Sequence, residues 1–78
     1  MDYLLTFFTH YAAMRAARAL EESGTPFAMM PVPRAVSSNC GTCVRCTCDT
    51  PPLSLAGEDT EAIYAVEGAG YRLLYDNQ

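Results

Sequence analysis

The sequence has no lysine or tryptophan, a single histidine and little positive charge. Five arginines are scattered along the chain, and the net charge is −4. Nucleic acid binding needs clustered cations that neutralise phosphates, so the composition argues against a nucleic acid partner. The start of the chain carries no basic leader, and no apolar stretch is long enough for a membrane span. We therefore expect a cytoplasmic protein without a membrane partner.

The shortness of the chain limits it to one small α/β domain, residues 1–78. Half of the residues are hydrophobic and 18% are charged, which is typical of a folded chain rather than a disordered one. A domain of this size has a small core, and an open sheet would expose its edge strands. Both features favour a homodimer.

Hydrophobic patterns in the first half of the chain predict two strands and a helix. The run YLLTFF (residues 3–8) is apolar on both alternating faces, which predicts a central strand. Thr9 is a candidate N-cap for the alanine-rich segment that follows, and Gly24 is a suitable helix stop. The segment TPFAMMPVP (residues 25–33) predicts an edge strand, because its prolines remove donors from the ladder.

The second half predicts two more strands and a second helix. Alternation in TCVRCTC (residues 42–48) predicts a strand, and YRLLY (residues 71–75) a last one. Asp59 and Gly68 favour a helix over the segment TEAIYAVE that they enclose, although its apolar residues also alternate. The order strand, helix, strand, strand, helix, strand predicts an α+β two-layer sandwich, ferredoxin-like βαββαβ with a four-stranded sheet.

All four cysteines, Cys40, Cys43, Cys46 and Cys48, lie within nine residues. Such a cluster cross-links nothing distant, which argues against a disulfide framework. On a strand, a rise of roughly 3.3 Å per residue separates Cys40 from Cys48 by about 26 Å, so one tetrahedral metal requires a curled loop instead. Strand alternation places Cys43 on the opposite face from the other three.

Two hypotheses for the cluster follow from the residue types. The first is a metal-binding module, with zinc or an iron–sulfur cluster held by Cys40, Cys43, Cys46 and Cys48 and with His10 as a candidate outside ligand. The second is a structural interaction domain with inert thiols, because buried cysteine behaves as a small hydrophobe. Without an evident nucleophile–base pair or phosphate loop, the sequence favours a carrier or binding protein over an enzyme.

Cys40 differs from the other cysteines because turn-forming residues surround it. Gly41 permits unusual backbone torsions and leaves room for a partner. Turn amides and a nearby arginine favour the thiolate, which is the nucleophilic form of cysteine. These features predict a reactive thiol at Cys40. The supporting loop comprises Arg34, Ser37, Ser38, Asn39 and Gly41.

Several segments together resemble a family of small bacterial selenium/sulfur carrier-like proteins. They are YLLTF near the start, the alanine-rich helix, PVPR at residues 31–34 and SSNCG at residues 37–41. The resemblance implies a short α/β domain that carries sulfur or selenium on Cys40 as a persulfide or selenosulfide. It also implies two partners, a donor such as a cysteine desulfurase and an acceptor enzyme.

The chain departs from the family pattern after Gly41, where we expect an aliphatic strand. Cys43, Cys46 and Cys48 stand there instead. A second thiol near a persulfide can attack it, release sulfide and leave a disulfide, which would defeat a simple carrier. The additional thiols are equally compatible with a relay, a redox switch or a metal site.

Overall fold

A computed structural model describes residues 1–36, 38 and 41–77 of the chain. Within these residues lie five strands, one α-helix and a short 3₁₀-helix, and no helix is long and apolar enough to cross a membrane. The strands form one antiparallel sheet in the order β2-β3-β1-β4-β5. The elements are β1 (Asp2–Phe7), α1 (His10–Glu22), β2 (Phe27–Pro31), β3 (Thr42–Thr47), the 3₁₀-helix (Leu53–Leu55), β4 (Thr60–Glu67) and β5 (Gly70–Asp76).

β1 is the central strand, which confirms the prediction from its doubly apolar pattern. Leu4 and Leu5 are both 0% exposed and lie on opposite faces of the sheet. Leu5 packs beneath α1 in what we term the helix-side core, whereas Leu4 belongs to a far-side core with Val36 and Cys43. The helix-side core comprises Tyr3, Leu5, Phe7, Ala12, Ala13, Ala16, Ala17, Leu20, Val44, Cys46, Ile63 and Ala65.

α1 begins and ends where the sequence predicts. The Thr9 hydroxyl accepts a hydrogen bond from the Ala12 N–H at 3.1 Å, which satisfies one of the unpaired donors of the first turn. Gly24, with a φ of 75°, follows the C-cap residue Ser23 and reverses the chain. The buried face of the helix is mainly alanine, so the helix packs closely on β1, β2 and β3.

The predicted ferredoxin-like fold with a four-stranded sheet is wrong, because the segment expected to form a second helix is β4. This strand pairs with β1 along one edge and with β5 along the other, so it is an interior strand of the sheet. Ile63 and Ala65 lie in the helix-side core, whereas Tyr64 and Val66 pack on the far side. The described residues therefore form a five-stranded sheet with one α-helix on one face.

The glycine that was expected to end the second helix forms a hairpin turn instead. Glu67 and Gly70 are paired, so Gly68 and Ala69 are the two loop residues between β4 and β5. Gly68 has a φ of 56° at the first central position, where a type II′ turn requires a positive value. A two-residue turn of this kind joins two antiparallel strands, and the segments before and after it are the antiparallel strands β4 and β5.

β2 is an edge strand, as its prolines predict, and Pro31 is its last residue. The chain then folds back across the far side of the sheet. The Val32 N–H donates to the Gly41 carbonyl at 3.2 Å, and Val36, only 6% exposed, packs on the far-side core. The Ser38 hydroxyl donates to the Phe7 carbonyl at 3.2 Å. These contacts bring the segment to the end of the sheet at which β1 ends and β3 begins.

Candidate functional site

The predicted thiol loop lies partly outside the described residues. Cys40, Ser37 and Asn39 belong to the positions that the structure does not describe. Of the other predicted loop residues, Arg34 and Gly41 are exposed, and Ser38 is half-buried with its hydroxyl bonded to the end of β1. The structure therefore defines the surface on which the loop is attached.

An open groove of about 440 Å³ adjoins this part of the chain. Gly41 and Thr42 form one end of it, and the first turns of α1 and the edge strand β2 form the walls. Three methionines make the lining mainly apolar, and His10 is its one titratable side chain among the described residues. The complete lining is His10, Met14, Met29, Met30, Pro31, Gly41 and Thr42.

Sequence reasoning considered His10 only as a metal ligand and missed the methionines of the groove. His10 and Met14 are four residues apart, a spacing that places both on one face of a helix. Met14 is 52% exposed and Met29 39% exposed, although both are large apolar residues. The helical spacing therefore indicates that His10 and Met14 share one face of α1. The groove itself also depends on the packing of α1 beside β2, which the spacing does not predict.

Gly41 is open to solvent, but its backbone is not of the unusual kind expected from the sequence. Positive φ values occur at Gly24 and Gly68, and Gly41 does not share them. Among the described residues other than its chain neighbours, no atom lies within 4 Å of the position that a Cβ would occupy at Gly41. The glycine therefore leaves free space for an approaching group, and an alanine would fit there without a clash.

Cys43 is a packing residue of the far-side core. It is 0% exposed, and it neighbours Leu4 and Val36. Its thiol donates to the carbonyl of Pro31 at 3.7 Å. The prediction that Cys43 lies on the opposite face of the strand from Cys46 and Cys48 is confirmed.

Cys46 and Cys48 form a close thiol pair on the helix side of the sheet. The Cys48 thiol donates to the Cys46 sulfur, with 3.7 Å between the two Sγ atoms. Cys46 is 1% exposed within the helix-side core, whereas Cys48 is half-buried at its margin. Burial raises the pKa of the Cys46 thiol to about 12, and the close contact with the Cys48 thiol adds to this effect.

The structure does not assemble the predicted zinc or iron–sulfur site from the cysteines that it describes. β3 separates Cys43 from Cys46 and Cys48 by placing them on opposite faces of the sheet. Within residues 1–36, 38 and 41–77, no group of three or more His, Cys, Asp or Glu side chains is placed to hold a metal ion. A strand, rather than the curled loop that a single ion would need, follows Gly41.

The thiol pair is also distant from the start of β3. Cys46 follows Gly41 by five positions, and an extended strand spans about 16 Å over that length. A group bound beside Gly41 is therefore out of direct reach of the Cys46 and Cys48 sulfurs. Cys43 is nearer in sequence, but its thiol is enclosed in the far-side core.

Comparison with known proteins identifies a family for the chain. A family model described as "Putative Se/S carrier protein-like" matches residues 2–56, which extend from β1 to just beyond the 3₁₀-helix. No curated protein and no solved structure matches the chain. Because the family match covers more than half of the sequence and agrees with the resemblance of its YLLTF, PVPR and SSNCG segments, the chain belongs to the selenium/sulfur carrier-like family.

Proposed function

We propose that this protein is a carrier of sulfur or selenium and that Cys40 holds the carried atom. The single observation that carries the proposal is the family match over residues 2–56, a range that includes Cys40. The carrier receives the atom from a donor enzyme, such as a cysteine desulfurase, and passes it to an acceptor enzyme. Cys40 acts as a covalent attachment point in both transfers.

The transfer is a nucleophilic displacement on sulfur with no net oxidation or reduction. The Cys40 thiolate attacks the outer sulfur of the donor's persulfide, and the donor's sulfur–sulfur bond breaks. The donor cysteine leaves as a thiolate, and the outer sulfur keeps its proton in the new Cys40 persulfide. Loading of an acceptor repeats the displacement with Cys40 as the leaving group, and selenium follows the same course as a selenosulfide.

The described surroundings of Cys40 support such an exchange. Ser38 on one side is hydrogen bonded to the end of β1, and Gly41 on the other side leads directly into β3. The described residues on both sides of Cys40 are therefore attached to the sheet, one through β1 and the other through β3. The open space at Gly41 and the adjoining groove leave room for the surface of a partner enzyme.

Positive charge near this edge of the sheet favours an anionic sulfur. The N-terminus of α1, capped by Thr9, carries part of the positive end of the helix dipole. Arg34, six positions before Cys40, is exposed. A persulfide, like a thiolate, is stabilised by nearby positive charge.

The position of the remaining thiols answers the objection that they would destroy a persulfide. Cys43 is buried on the far side, and the pair formed by Cys46 and Cys48 lies about five strand positions away. Attack by these thiols on a persulfide beside Gly41 would require the strand to unfold. The proposal therefore assigns the carried atom to one of the four cysteines.

Sulfur loading tests the proposal directly. The reduced protein is incubated with a cysteine desulfurase and cysteine under anaerobic conditions, and intact mass and peptide mapping follow. We expect one added sulfur atom, located on Cys40, and no stable addition in Cys40→Ser. Absence of the adduct from the unaltered protein, or the same adduct in Cys40→Ser, would overturn the proposal.

Gly41→Ala is a matched variant that separates partner contact from the chemistry of the thiol. The added methyl group meets no atom within 4 Å from the described residues beyond its chain neighbours, so we expect the fold to be unchanged. Loading by the desulfurase should fall severalfold because the methyl group obstructs the close approach of the enzyme. Loading by a small persulfide, such as glutathione persulfide, should stay close to that of the unaltered protein.

A further inference from the structure

We propose that Cys46 and Cys48 form a second reactive site, a dithiol that closes to a disulfide in exchange with a low-molecular-weight disulfide of the glutathione type. This inference concerns thiols that the carrier proposal does not use, and it stands whether or not Cys40 carries sulfur. It rests on the distance between the two sulfurs, on their unequal exposure and on the backbone that holds them.

The two sulfurs are already in contact. Their separation of 3.7 Å is that of a hydrogen-bonded thiol pair, and it must shorten to about 2.05 Å in a disulfide. Two positions along an extended backbone span about 6.6 Å between Cα atoms, close to the upper end of the range seen in disulfides, roughly 6.8 Å. Side-chain rotation therefore brings the sulfurs into bonding distance with little movement of the backbone.

The backbone at Cys48 is fixed by the beginning of the chain. The Cys48 N–H donates to the Met1 carbonyl at 3.0 Å, and the Met1 amino group donates to the Cys48 carbonyl at 3.3 Å. The adjacent Thr47 N–H donates to the Pro26 carbonyl at 3.0 Å. Cys48 therefore stays beside Cys46 even though β3 ends at Thr47.

The unequal exposure of the pair assigns a separate role to each thiol. Cys48 is half-buried at the margin of the core, so an incoming disulfide can reach it. Cys46 is enclosed beneath it at 1% exposure, where an external molecule cannot approach. We therefore assign Cys48 as the entry thiol and Cys46 as the resolving thiol.

The exchange takes place in two displacements. The Cys48 thiolate attacks one sulfur of oxidised glutathione, the glutathione disulfide bond breaks, and one glutathione thiolate leaves. The Cys46 thiolate then attacks the Cys48 sulfur and expels the second glutathione towards solvent. Two protein thiols lose two electrons and two protons, and the glutathione disulfide is reduced to two glutathione thiols.

The closing step should depend strongly on pH because Cys46 must lose its proton before it attacks. Its surroundings oppose ionisation: Cys48 and Asp2 raise the pKa in addition to burial, and Tyr3 and Tyr75 are the other ionisable side chains packed in the same core. The thiolate fraction, and with it the closing rate, should rise about tenfold per pH unit at neutral to mildly alkaline pH.

The experiment uses full-length Cys40→Ser protein, so that the carrier thiol does not react, and oxidised glutathione as the probe. Mass spectrometry should show the loss of two hydrogen atoms, no retained glutathione, and a disulfide that joins Cys46 to Cys48. With Cys46→Ser added, the reaction should stop at glutathione bound to Cys48. With Cys48→Ser added, no reaction is expected, and with Cys43→Ser added the disulfide should form as before.

A pH jump keeps the test independent of substitutions in the pair. Protein that has first been loaded with glutathione at mildly acidic pH is transferred to higher pH, and the release of glutathione is followed. Release about tenfold faster per pH unit supports the assignment of Cys46 as the resolving thiol. The proposal is overturned if the folded protein keeps both thiols in excess oxidised glutathione, if glutathione stays on Cys48 at alkaline pH, or if the disulfide includes Cys43.

Discussion

The two ends of β3 differ in exposure and in packing. At its beginning, Gly41 is exposed beside an open groove, and the preceding segment is tied to the sheet by the Ser38 hydroxyl. At its end, Cys46 lies in the helix-side core with Cys48 against it, held by the N-terminal residue of the chain. The cysteines of one short segment thus have different environments that their spacing in the sequence does not show.

The alternation of β3 also explains why the three cysteines that the structure describes, Cys43, Cys46 and Cys48, do not share one site. The strand alternates its side chains between two cores, so Cys43 faces away from Cys46 and Cys48. Its length then separates the thiol pair from the loop that precedes it. A single tetrahedral metal ion would need a curled loop at these positions instead of a strand.

The largest effect on the comparison should come from Leu4→Ala, which removes the centre of the far-side core. Leu4 is 0% exposed beneath Val36 and beside Cys43, so the substitution should lower the free energy of unfolding by about 2–5 kcal/mol. Chemical denaturation measures this loss. Leu73→Ala, at a residue that is 49% exposed, is the matched control and should change it by less than about 0.5 kcal/mol. Equal effects would contradict the role of the far-side core in anchoring the segment before Cys40.

Ser38→Ala should lower stability by a smaller amount, and its effect should be confined to the surroundings of Gly41, where β3 begins. The variant loses the hydrogen bond to the Phe7 carbonyl, which should cost about 0.5–1.5 kcal/mol of unfolding free energy. Sulfur loading should slow, while closure of the Cys46–Cys48 disulfide should keep its rate. Ser54→Ala, at an exposed serine of the 3₁₀-helix, is the control. A change in disulfide closure in Ser38→Ala would show that the two ends are coupled.

Asp2→Asn should have the smallest effect on stability. It should act at the end of β3, where Cys46 and Cys48 lie. Hydrogen bonds from Thr47 and Arg45 lower the pKa of the Asp2 carboxyl below its usual value of 3.8. The lowered pKa contributes stability above that value, and this contribution is lost as the pH falls through the pKa of the folded protein. The variant should therefore show a shallower loss of stability on acidification, measured by thermal unfolding at several pH values.

The same variant also sharpens the assignment of Cys46. The Asp2 charge is one of the causes that raise the pKa of the Cys46 thiol, so its removal should speed disulfide closure modestly at a given pH. Sulfur loading at the other end of β3 should not change. Slower closure in Asp2→Asn would contradict the electrostatic part of the account.

Local sequence signals predicted the elements that surround the site. The doubly apolar pattern of β1, the Thr9 cap, the prolines of β2 and the alternation in β3 are each consequences of short-range chemistry, and the structure confirms all four. The separation of Cys43 from Cys46 and Cys48 followed from the same alternation. Carrier-loop residues Ser37, Asn39 and Cys40 lie outside the described part of the chain, so their roles stay predictions.

The errors concerned features that depend on tertiary partners. β4 could not be distinguished from a helix, because a strand buried on both faces has apolar residues at helical spacing as well as in alternation. Glu61 belongs to the segment for which a helix was expected, and it is 2% exposed in β4. The groove between α1 and β2 and the 3.7 Å contact between Cys46 and Cys48 likewise depend on packing and backbone geometry that residue spacing does not determine.

Peptide mapping of two samples tests most directly whether the two ends of β3 react differently: the reduced protein treated with a sulfur donor, and reduced Cys40→Ser protein treated with oxidised glutathione. Cleavage after Arg34, Arg45 and Arg72 separates a peptide with Cys40 and Cys43 from one with Cys46 and Cys48. The account predicts added sulfur on Cys40 in the first peptide and an internal disulfide in the second. Added sulfur on Cys46 or Cys48, or a disulfide that joins the two peptides, would contradict it.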